Sequence, residues 1–325
     1  MIVTRAPLRV SFMGGGTDLP AFYRQEEGCV LSTSIQRYVY ICLNKKFDDS
    51  IRVSYSQNEF CNSVDEIKHD LVRESLRFMG VEKGVEITSV SDIPSNGSGM
   101  GSSSAFTVAL LTALAEYTKR GWTKEWLAST ACDIEINCCG KPIGKQDQYA
   151  SAIGGMNFIR FKPNESVESS PLWIRGAVRR ELGRKLLLLH TGQSRKAEAI
   201  LAAQSAHTGN DPETRRRLRE MVILAQVMRD QIEAGNLSDF GRLLNAGWQL
   251  KQNLAGGIRD TFIDHCWTMG MQNGAEGCKL LGAGGGGFML FYAEPDAQER
   301  IKQALPDLRP LPFDFDWDGA SCKMR

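Results

Sequence analysis

The chain has 325 residues, which is enough for two domains with separate hydrophobic cores. With 39 basic and 38 acidic residues, its net charge of +1 favours neither nucleic acid nor an anionic membrane surface, so an anionic ligand needs a local cluster of cations. The nine cysteines include no C-x-x-C pair, which argues against a zinc site and favours reduced thiols. The sequence shows neither an apolar leader nor a run long enough to span a membrane, so we expect a cytoplasmic protein.

The N-terminal segment alternates apolar and polar side chains over residues 2–13, which predicts a strand. The strand runs into three glycines at residues 14–16, followed by Thr17 and Asp18. A carboxylate on such a tight turn has little bulk around it and can accept hydrogen bonds from the hydroxyl groups of a ligand. The alternative for Asp18 is an Asx turn or the N-cap of a helix over residues 19–25.

Three further elements precede the first distinctive loop. Residues 28–43 and 51–55 are rich in β-branched and aromatic side chains, which predicts two more strands. Residues 65–79 predict an amphipathic helix that ends at Gly80.

A loop rich in glycine and serine, residues 94–105, lies between a predicted strand at residues 85–90 and a predicted buried helix at residues 106–117. The first N–H groups of a helix lack internal partners, and the helix dipole favours an anion there. Glycines let the backbone approach a phosphate, and serine hydroxyls can cap the helix, contact the phosphate or ligate Mg²⁺. The predicted phosphate-binding residues are Gly97, Ser98, Gly99, Gly101, Ser102, Ser103 and Ser104. The alternative is a flexible linker.

The two commonest nucleotide motifs do not fit this loop. Gly101 is followed by serine rather than lysine, and Ser102 stands where G-x-G-x-x-G requires its third glycine. Residues 97–105 instead resemble the second motif of the GHMP kinases, P-x-x-x-G-L-G-S-S-A, a superfamily that includes galactokinase, homoserine kinase and mevalonate kinase. Residues 6–18 are similar to the first motif of this family, and the matching positions are Arg9, Gly14, Thr17 and Asp18.

This resemblance implies that the first turn binds the substrate through Asp18, Gly16 and Thr17. In galactokinase a Glu-His pair occupies the positions of Gly15 and Gly16. The two glycines open space beside the sugar, so the segment looks like the heptose-phosphate kinase branch rather than galactokinase itself.

A further helix is predicted over residues 123–136, with Thr123 as its N-cap. In the GHMP family a glutamate on this helix and a serine of the second motif ligate Mg²⁺, and Glu135 and Ser103 match those positions. One carboxylate, a hydroxyl and nucleotide phosphates are a usual ligand set for this ion. The alternative is that Glu135 is a solvated helix acid.

Residues 140–150 resemble the G-x-x-D-Q segment of galactokinase-type members, whose aspartate is the catalytic base, so the resemblance makes Asp147 the base. A sugar hydroxyl is a poor nucleophile, and a positioned base typically contributes about 10²–10⁴-fold in rate. Lys145 or Arg9 nearby would keep Asp147 ionised and offset charge on the transferring phosphoryl group. The alternatives are a loop acid for Asp147 and a structural ion pair for Arg9.

A polar, irregular segment, residues 162–180, follows a predicted strand at residues 154–161. We place the domain boundary in this segment, which gives domains of residues 1–172 and 173–325. A buried strand at residues 185–190 then leads into a turn that contains Arg195. Its guanidinium and the following helix N-terminus can hold a second phosphate, that of the substrate. A capped strand with solvated charges is the alternative.

The C-terminal half predicts mainly helices, at about residues 211–235, 238–254 and 261–272. A glycine-rich loop over residues 282–287, before a strand, resembles the third GHMP motif. Asp296 is predicted to cap a last helix, and the alternating Phe313, Phe315 and Trp317 predict a final strand.

The resemblance implies an α+β protein with the two-domain GHMP kinase fold. Its N-terminal domain is expected to resemble the second domain of ribosomal protein S5, and its C-terminal domain to be a helix-backed antiparallel sheet. The implied reaction uses ATP and Mg²⁺ and transfers the γ-phosphoryl group to the anomeric hydroxyl of D-glycero-D-manno-heptose 7-phosphate. The product is the 1,7-bisphosphate for nucleotide-heptose synthesis.

Three alternatives stay open: a fucokinase-like sugar 1-kinase, a kinase of a non-sugar alcohol such as mevalonate, and a non-catalytic sensor of ATP and sugar. The presence of Asp147, Glu135 and the serines argues against the sensor. The expected partner is a small-molecule sugar phosphate, with no nucleic acid and no membrane, and a homodimer is a further possibility.

Overall fold

The structure is a computed structural model that describes residues 1–93, 97–193 and 197–324. It contains two β-sheets with helices packed against them. Seven strands of the first sheet come from the N-terminal half: β1 (Ile2–Met13), β2 (Gly28–Lys45), β3 (Ile51–Ser54), β4 (Asn58–Cys61), β5 (Val85–Ser91), β6 (Met156–Phe161) and β7 (Val167–Pro171).

The first sheet is organised around β1 and β2, which pair antiparallel over most of their length. The end of β2 pairs with β5, and its beginning pairs with β6. Because β6 lies beside the beginning of β2, the segment just before β6 approaches the turn that joins β1 to β2. The backbone N–H of Lys145 accordingly donates to the carbonyl oxygen of Asp18, with 3.4 Å between the two atoms.

The helices of this half are α1 (Pro20–Tyr23), α2 (Asp70–Met79), α3 (Ser102–Tyr117), α4 (Lys124–Cys132) and α5 (Gln146–Ile153). A π-helical turn, Asp133–Cys138, continues α4. Helix α3 is buried along nearly its whole length, as predicted, because it lies between the first sheet and α2, α4 and α5. Thr123 caps α4 as predicted, and its hydroxyl accepts the N–H of Trp126 at 3.1 Å.

The second sheet is antiparallel, and its strand order is β11-β8-β10-β9. Its strands are β8 (Leu186–His190), β9 (Gly277–Leu280), β10 (Phe288–Tyr292) and β11 (Arg309–Pro310). The surrounding helices are α6 (Gly176–Lys185), α7 (Ala197–Asn210), α8 (Pro212–Glu233), α9 (Phe240–Lys251), α10 (Thr261–Gln272) and α11 (Pro295–Ala304). The uninterrupted leucines of β8 are explained by its position, since Leu187 and Leu189 pack into one core and Leu186 and Leu188 into the other.

Several predicted boundaries are wrong. Helix α2 begins only at Asp70, because the Glu59 carboxylate accepts the N–H groups of Lys68 and His69 at 2.6 and 3.1 Å and holds them outside the helix. The stretch predicted to be irregular before β8 contains both β7 and α6. Asp296 lies in the first turn of α11, and no side chain caps that helix.

The end of the chain returns to the first sheet. The predicted final strand at residues 313–317 is reduced to an isolated bridge between Phe315 and Ile35. The actual last strand, β12 (Ser321–Met324), pairs antiparallel with β1. The division into residues 1–172 and 173–325 stays a prediction, although β12, at the end of the second range, joins the first sheet. Among the described residues no helix is long and apolar enough to cross a membrane.

Candidate active site

A cleft lies between the layers formed by the two sheets. We call its first side the N-terminal wall; it is formed by Arg9, Asp18, the glycines and serines of residues 97–104, Glu135 and Asp147. The facing side, the C-terminal wall, is formed by Ala197, Glu198, Leu201, Gln204, Lys251, Gly282 and Ala283. The cleft therefore brings together most residues that the sequence analysis selected from distant parts of the chain.

The loop between β5 and α3 has the geometry of an anion site. Gly97, Gly99 and Gly101 have φ angles of 70°, 71° and 75°, in the left-handed region that glycine adopts without strain. No side chain caps α3, so the N–H groups of its first turn remain available to a ligand. Ser102, Ser103 and Ser104 open the helix and line the cleft.

Arg9 joins this loop to Asp147. Its guanidinium is almost fully buried, donating from Nε to Asp147 Oδ1 at 2.6 Å and from Nη1 to the carbonyl oxygen of Gly99 at 2.6 Å. A Cβ atom at Gly101 would lie 3.2 Å from the Asp147 carboxyl carbon, so glycine there lets the carboxylate approach the start of α3. The predicted proximity of Arg9 and Asp147 is thus present in the structure, while their catalytic roles stay predictions.

Lys145 does not take part in this arrangement. Its ammonium forms an ion pair with Glu165 Oε2 at 2.6 Å and lies 4.8 Å from the centre of the Tyr23 ring. Burial raises the pKa of Glu165, but hydrogen bonds from Lys145, Arg24 and Tyr23 outweigh it and lower the pKa to about 2. Lys145 is absent from the described residues that line the cleft. Of the two cations predicted near Asp147, the structure pairs Arg9 with it and Lys145 with Glu165, and the catalytic role of Lys145 stays a prediction.

Asp18 lies at the base of the cleft and is almost fully buried. Its Oδ1 accepts the N–H of Gly16 at 2.9 Å, and its Oδ2 accepts the N–H of Gln146 at 3.3 Å. Burial is the main reason why its pKa is raised above the usual value, and the two backbone hydrogen bonds oppose this effect. The N–H bound by Oδ1 lies two residues before Asp18, and Leu19 is the N-cap of α1, so the carboxylate forms neither the alternative Asx turn nor a helix cap. It lines the cleft, where each oxygen keeps a further lone pair for a ligand.

The other residues predicted from the first turn differ in position. Gly16 lines the cleft with a φ of 103°. Thr17 is fully buried and absent from the described lining; its hydroxyl accepts the N–H of Cys29 at 3.0 Å and lies 2.8 Å from the carbonyl oxygen of Gly14. Thr17 therefore holds the turn against β2, and its predicted substrate contact stays a prediction. Arg195 lies outside the described residues.

Glu135 lies on the π-helical turn and is fully buried. Its Oε2 accepts hydrogen bonds from Ser104 Oγ at 2.9 Å and Gln148 Nε2 at 3.0 Å. Its Oε1 is buried without a hydrogen-bond partner in the described part of the chain. Burial raises the pKa of Glu135 to about 7, although the nearby hydroxyl groups of Thr107 and Ser104 act in the opposite direction.

The unpartnered Oε1 atom fits a divalent cation, since carboxylate and hydroxyl oxygens are ligands that Mg²⁺ prefers. Within the described ranges no cluster of three or more His, Cys, Asp or Glu side chains could bind a metal by itself. Nucleotide phosphates would therefore have to complete the coordination. The structure joins Ser104 to Glu135, whereas the predicted ligand Ser103 is exposed at the lining of the cleft.

The sequence analysis missed Lys251, the last residue of α9. Its ammonium is buried in the C-terminal wall, where it donates to the carbonyl oxygen of Gly282. Burial is the main cause that lowers its pKa to about 8; Arg9 adds to the decrease, and Asp18 and Asp147 oppose it. The sequence carried a signal, because Lys251 continues an apolar helical stripe formed by Phe240, Leu244, Gly247 and Trp248.

The loop that resembles the third motif packs against the phosphate loop, backbone to backbone. A Cβ atom at Gly282 would lie 2.3 Å from the Cα atom of Gly99, and one at Gly287 would lie 2.5 Å from the carbonyl oxygen of Ser98. Side chains at these two positions would therefore separate the loops.

Comparison with known proteins agrees with this architecture. The family models described as "GHMP kinases N terminal domain" and "GHMP kinases C terminal" match residues 65–155 and 228–309. The D-glycero-alpha-D-manno-heptose 7-phosphate kinase of Campylobacter jejuni is 30% identical, covering 99% of this chain and 98% of its own length. The L-fucokinase/L-fucose-1-P guanylyltransferase of Bacteroides fragilis is 25% identical over 95% of this chain, and the matched region is 36% of that relative's length.

Among solved structures, a D-glycero-D-manno-heptose 1-phosphate kinase from Bacteroides thetaiotaomicron superimposes with a TM-score of 0.82 at 24% identity. The match covers 100% of this chain and 99% of that structure. It confirms the predicted α+β, two-domain GHMP kinase fold. Taken with the full-length relative from C. jejuni and the two matching domains, these findings show that the chain belongs to the GHMP kinase family.

Proposed function

We propose that this ATP-dependent sugar kinase phosphorylates the anomeric hydroxyl of D-glycero-D-manno-heptose 7-phosphate and releases the 1,7-bisphosphate. The observation that carries the proposal is the contact of Asp147 with Arg9 and, through Arg9, with Gly99 of the phosphate loop. A base and a phosphate-binding helix N-terminus then share one cleft, which is the arrangement that phosphoryl transfer to an alcohol requires. The choice of sugar is supported by the full-length relative from C. jejuni.

The phosphates of ATP are assigned to residues 97–104 and the first turn of α3. The nucleotide base is assigned to a neighbouring cavity, which shares Ser102, Ser103 and Lys141 with the cleft. Its apolar part contains His69, whose ring stacks on Phe106 with 5.0 Å between centroids. Burial lowers the pKa of His69, which favours the neutral ring that stacks on a base. A nucleotide in this position would extend from the cavity into the cleft.

Glu135 Oε1 and the hydroxyl of Ser103 are the proposed ligands of Mg²⁺. When bound, the ion would neutralise phosphate charge and orient the γ-phosphoryl group. Ser104 and Gln148 hold the other carboxylate oxygen of Glu135 and so fix its orientation.

Asp147 is the proposed base. Because Arg9 occupies its Oδ1 atom, Oδ2 is assigned to the attacking hydroxyl. It takes the proton of that hydroxyl as the sugar oxygen bonds to the γ-phosphorus and the bond from this phosphorus to the bridging oxygen breaks, which releases ADP. The Arg9 guanidinium and the first N–H groups of α3 then offset negative charge on the transferring group. Asp18 is proposed to bind another hydroxyl of the sugar, and Arg195 its 7-phosphate.

A fucokinase-like activity is the second candidate. The kinase and guanylyltransferase of B. fragilis aligns with 95% of this chain, so a free deoxysugar is a reasonable competing acceptor. The two candidates share the phosphate loop, the base and the metal ligands, and they differ only in the acceptor sugar.

The test measures ADP release with ATP and Mg²⁺ against heptose 7-phosphate, sedoheptulose 7-phosphate, fucose, galactose and mevalonate. We expect the highest kcat/KM with heptose 7-phosphate, and phosphorus NMR should show a new phosphate on the anomeric carbon. Preferred turnover of fucose would overturn the choice of sugar and retain the kinase. ATP binding without turnover of any acceptor would contradict the proposed reaction.

A further inference from the structure

Helix α7 presents one face to the cleft. Ala197, Glu198, Leu201 and Gln204 line it, at the spacing that places side chains on one side of a helix. Exposure falls along this face, from the exposed Ala197 and Glu198 through the half-buried Leu201 to Gln204, which is 2% exposed. Gln204 is therefore the deepest residue that α7 contributes to the cleft.

The Gln204 amide lacks the contact that its burial demands. Its Nε2 atom is buried and has no hydrogen-bond partner within residues 1–93, 97–193 and 197–324. Buried side-chain donors in native proteins are nearly always paired, since an unpaired one loses its hydration without compensation. An unpaired donor that lines a ligand cleft indicates a partner supplied by the ligand.

The position of the amide identifies what it faces. A Cβ atom at Gly16 would lie 2.2 Å from Gln204 Nε2, so the amide lies directly over the Gly16 backbone. The N–H of Gly16 is the donor that holds Asp18 Oδ1. Gln204 therefore approaches, from the C-terminal wall, the same turn that carries Asp18.

A second unpaired amide converges on this turn from the N-terminal wall. Gln146 lines the cleft, and its Oε1 atom is buried without a partner in the described residues. Its Nε2 atom would lie 3.7 Å from a Cβ atom at Gly15. The Gly15 and Gly16 backbone thus lies near both amides; within the described residues the Gln204 amide has an unpaired donor and the Gln146 amide an unpaired acceptor.

We propose that Gln204 and Gln146 determine sugar specificity: the Gln204 amide donates to a hydroxyl oxygen of the bound sugar beside Asp18, and Gln146 Oε1 accepts from a neighbouring hydroxyl. The inference rests on the proposed sugar kinase function. A side chain at position 16 would displace the Gln204 amide, and the φ of 103° at this residue also favours glycine. Each pairing forms only when sugar is bound, so both contribute to choosing the acceptor rather than to binding ATP.

The test compares Gln204→Met with the wild-type enzyme on the sugar that the wild type phosphorylates fastest. We expect the KM for the sugar to rise about 10–100-fold, the range for leaving a buried polar contact unmade, while the KM for ATP stays unchanged. Gln303→Met, an exposed glutamine on α11, is the matched control and should change neither constant. An unchanged sugar KM in Gln204→Met would overturn the inference.

Monodeoxy analogues of that sugar provide a second readout. The wild type should discriminate strongly against the analogue that lacks the hydroxyl bound by Gln204, and Gln204→Met should lose this discrimination. Thermal unfolding of the free enzyme separates this role from a structural one. Because the Nε2 donor has no partner to lose in the described part of the chain, the melting temperature should not fall, and a clear fall with equal losses on all analogues would overturn the inference.

Failure of the proposed function can be distinguished from failure of this inference. If the wild type prefers another acceptor, the sugar in the assay changes and the comparison of variants stays the same. If no acceptor is phosphorylated, calorimetric titration with heptose 7-phosphate replaces the kinetic assay, and equal affinity of wild type and Gln204→Met overturns the inference.

Discussion

The two walls of the cleft differ in how their polar side chains are held. On the N-terminal wall, Arg9 and Asp147 pair with each other, Asp18 accepts two backbone N–H groups, and Glu135 is oriented by Ser104 and Gln148. On the C-terminal wall, the Lys251 ammonium donates to the backbone carbonyls of Leu280 and Gly282, and the Gln204 donor has no partner in the described residues.

This difference divides the residues assigned to the chemical step from the residues that gain a hydrogen-bond partner when a ligand binds. A catalytic group works best when the protein already holds it in its reactive position, which is the situation on the N-terminal wall. The C-terminal wall instead offers groups that gain partners when a ligand arrives. Substitutions in the N-terminal wall should therefore change kcat most, and substitutions in the C-terminal wall should mainly change substrate affinity, loop contact and pH dependence.

The largest expected effect is that of Asp147→Asn. The variant keeps an oxygen for Arg9 but cannot take the proton of the attacking hydroxyl, so kcat should fall by about 10²–10⁴-fold. Steady-state ADP release with heptose 7-phosphate measures it. Asp133→Asn, an exposed acid elsewhere on this domain, is the control and should keep wild-type kcat. A kcat that stays near the wild-type value in Asp147→Asn would show that the N-terminal wall does not supply the base.

Glu135→Gln should have the next largest effect. The amide keeps the shape of the side chain and removes the charge that would hold Mg²⁺. Loss of a residue that only supports a metal ligand typically weakens metal affinity about 10–100-fold, so the Mg²⁺ concentration for half-maximal rate should rise by at least this factor. The assay varies Mg²⁺ at fixed ATP, again with Asp133→Asn as control. The assignment of the metal ligand is wrong if the two variants require the same Mg²⁺ concentration.

Gly282→Ala tests the contact between the two walls directly. The new Cβ atom would lie 2.3 Å from Gly99 Cα, at a residue with a φ of 70°. Gly80→Ala is a matched control, since Gly80 has a φ of 67° and no neighbour within 4 Å of the new atom. Backbone strain costs about 1–3 kcal/mol, so denaturant unfolding should show this loss in both variants and a further loss only in Gly282→Ala. Equal losses would mean that the loops tolerate separation.

Lys251→Met should have the smallest effect and should depend on pH. Because burial lowers the pKa of Lys251 to about 8, its ammonium is present below that pH and lost above it. The cation offsets the charges of Asp18, Asp147 and an incoming phosphate, so its removal should lower kcat/KM about tenfold near neutral pH. The wild-type rate should decline as pH rises past this pKa, and the variant should lack that decline. If the pH–rate profiles of the wild type and Lys251→Met have the same shape, the decline at alkaline pH belongs to another group.

The sequence predicted the parts of the site that depend on local order. The glycine and serine loop before α3 needs only the backbone freedom of glycine and the start of a helix, and both are visible in a short window. The cap at Thr123 is an equally local contact, over three residues. Glu135 and Asp147 were selected by resemblance, and the fold brings both to the cleft.

The rest depended on contacts between distant residues. Lys145 turns away from Asp147 because Glu165, twenty positions later, lies within reach of its ammonium. Thr17 is directed inward by Cys29 in the next strand. No local sequence pattern identifies Gln204. It was selected because its buried Nε2 atom has no hydrogen-bond partner in the described residues and because this atom lies over Gly16, a residue far away in the sequence.

The return of the chain to the first sheet limits how the protein can move. The backbone leaves the first sheet after Leu172, whose N–H donates to the carbonyl oxygen of Met156. It returns between residues 311 and 315: the N–H of Leu311 still donates to Leu188 of the second sheet, whereas Phe315 forms a bridge with Ile35 of the first sheet. Two chain crossings therefore join the layers, and one hydrophobic core contains buried side chains of both, such as Leu31 of β2 and Leu188 of β8. Any relative displacement of the layers would have to disturb this core as well as the close contact between Gly282 and Gly99.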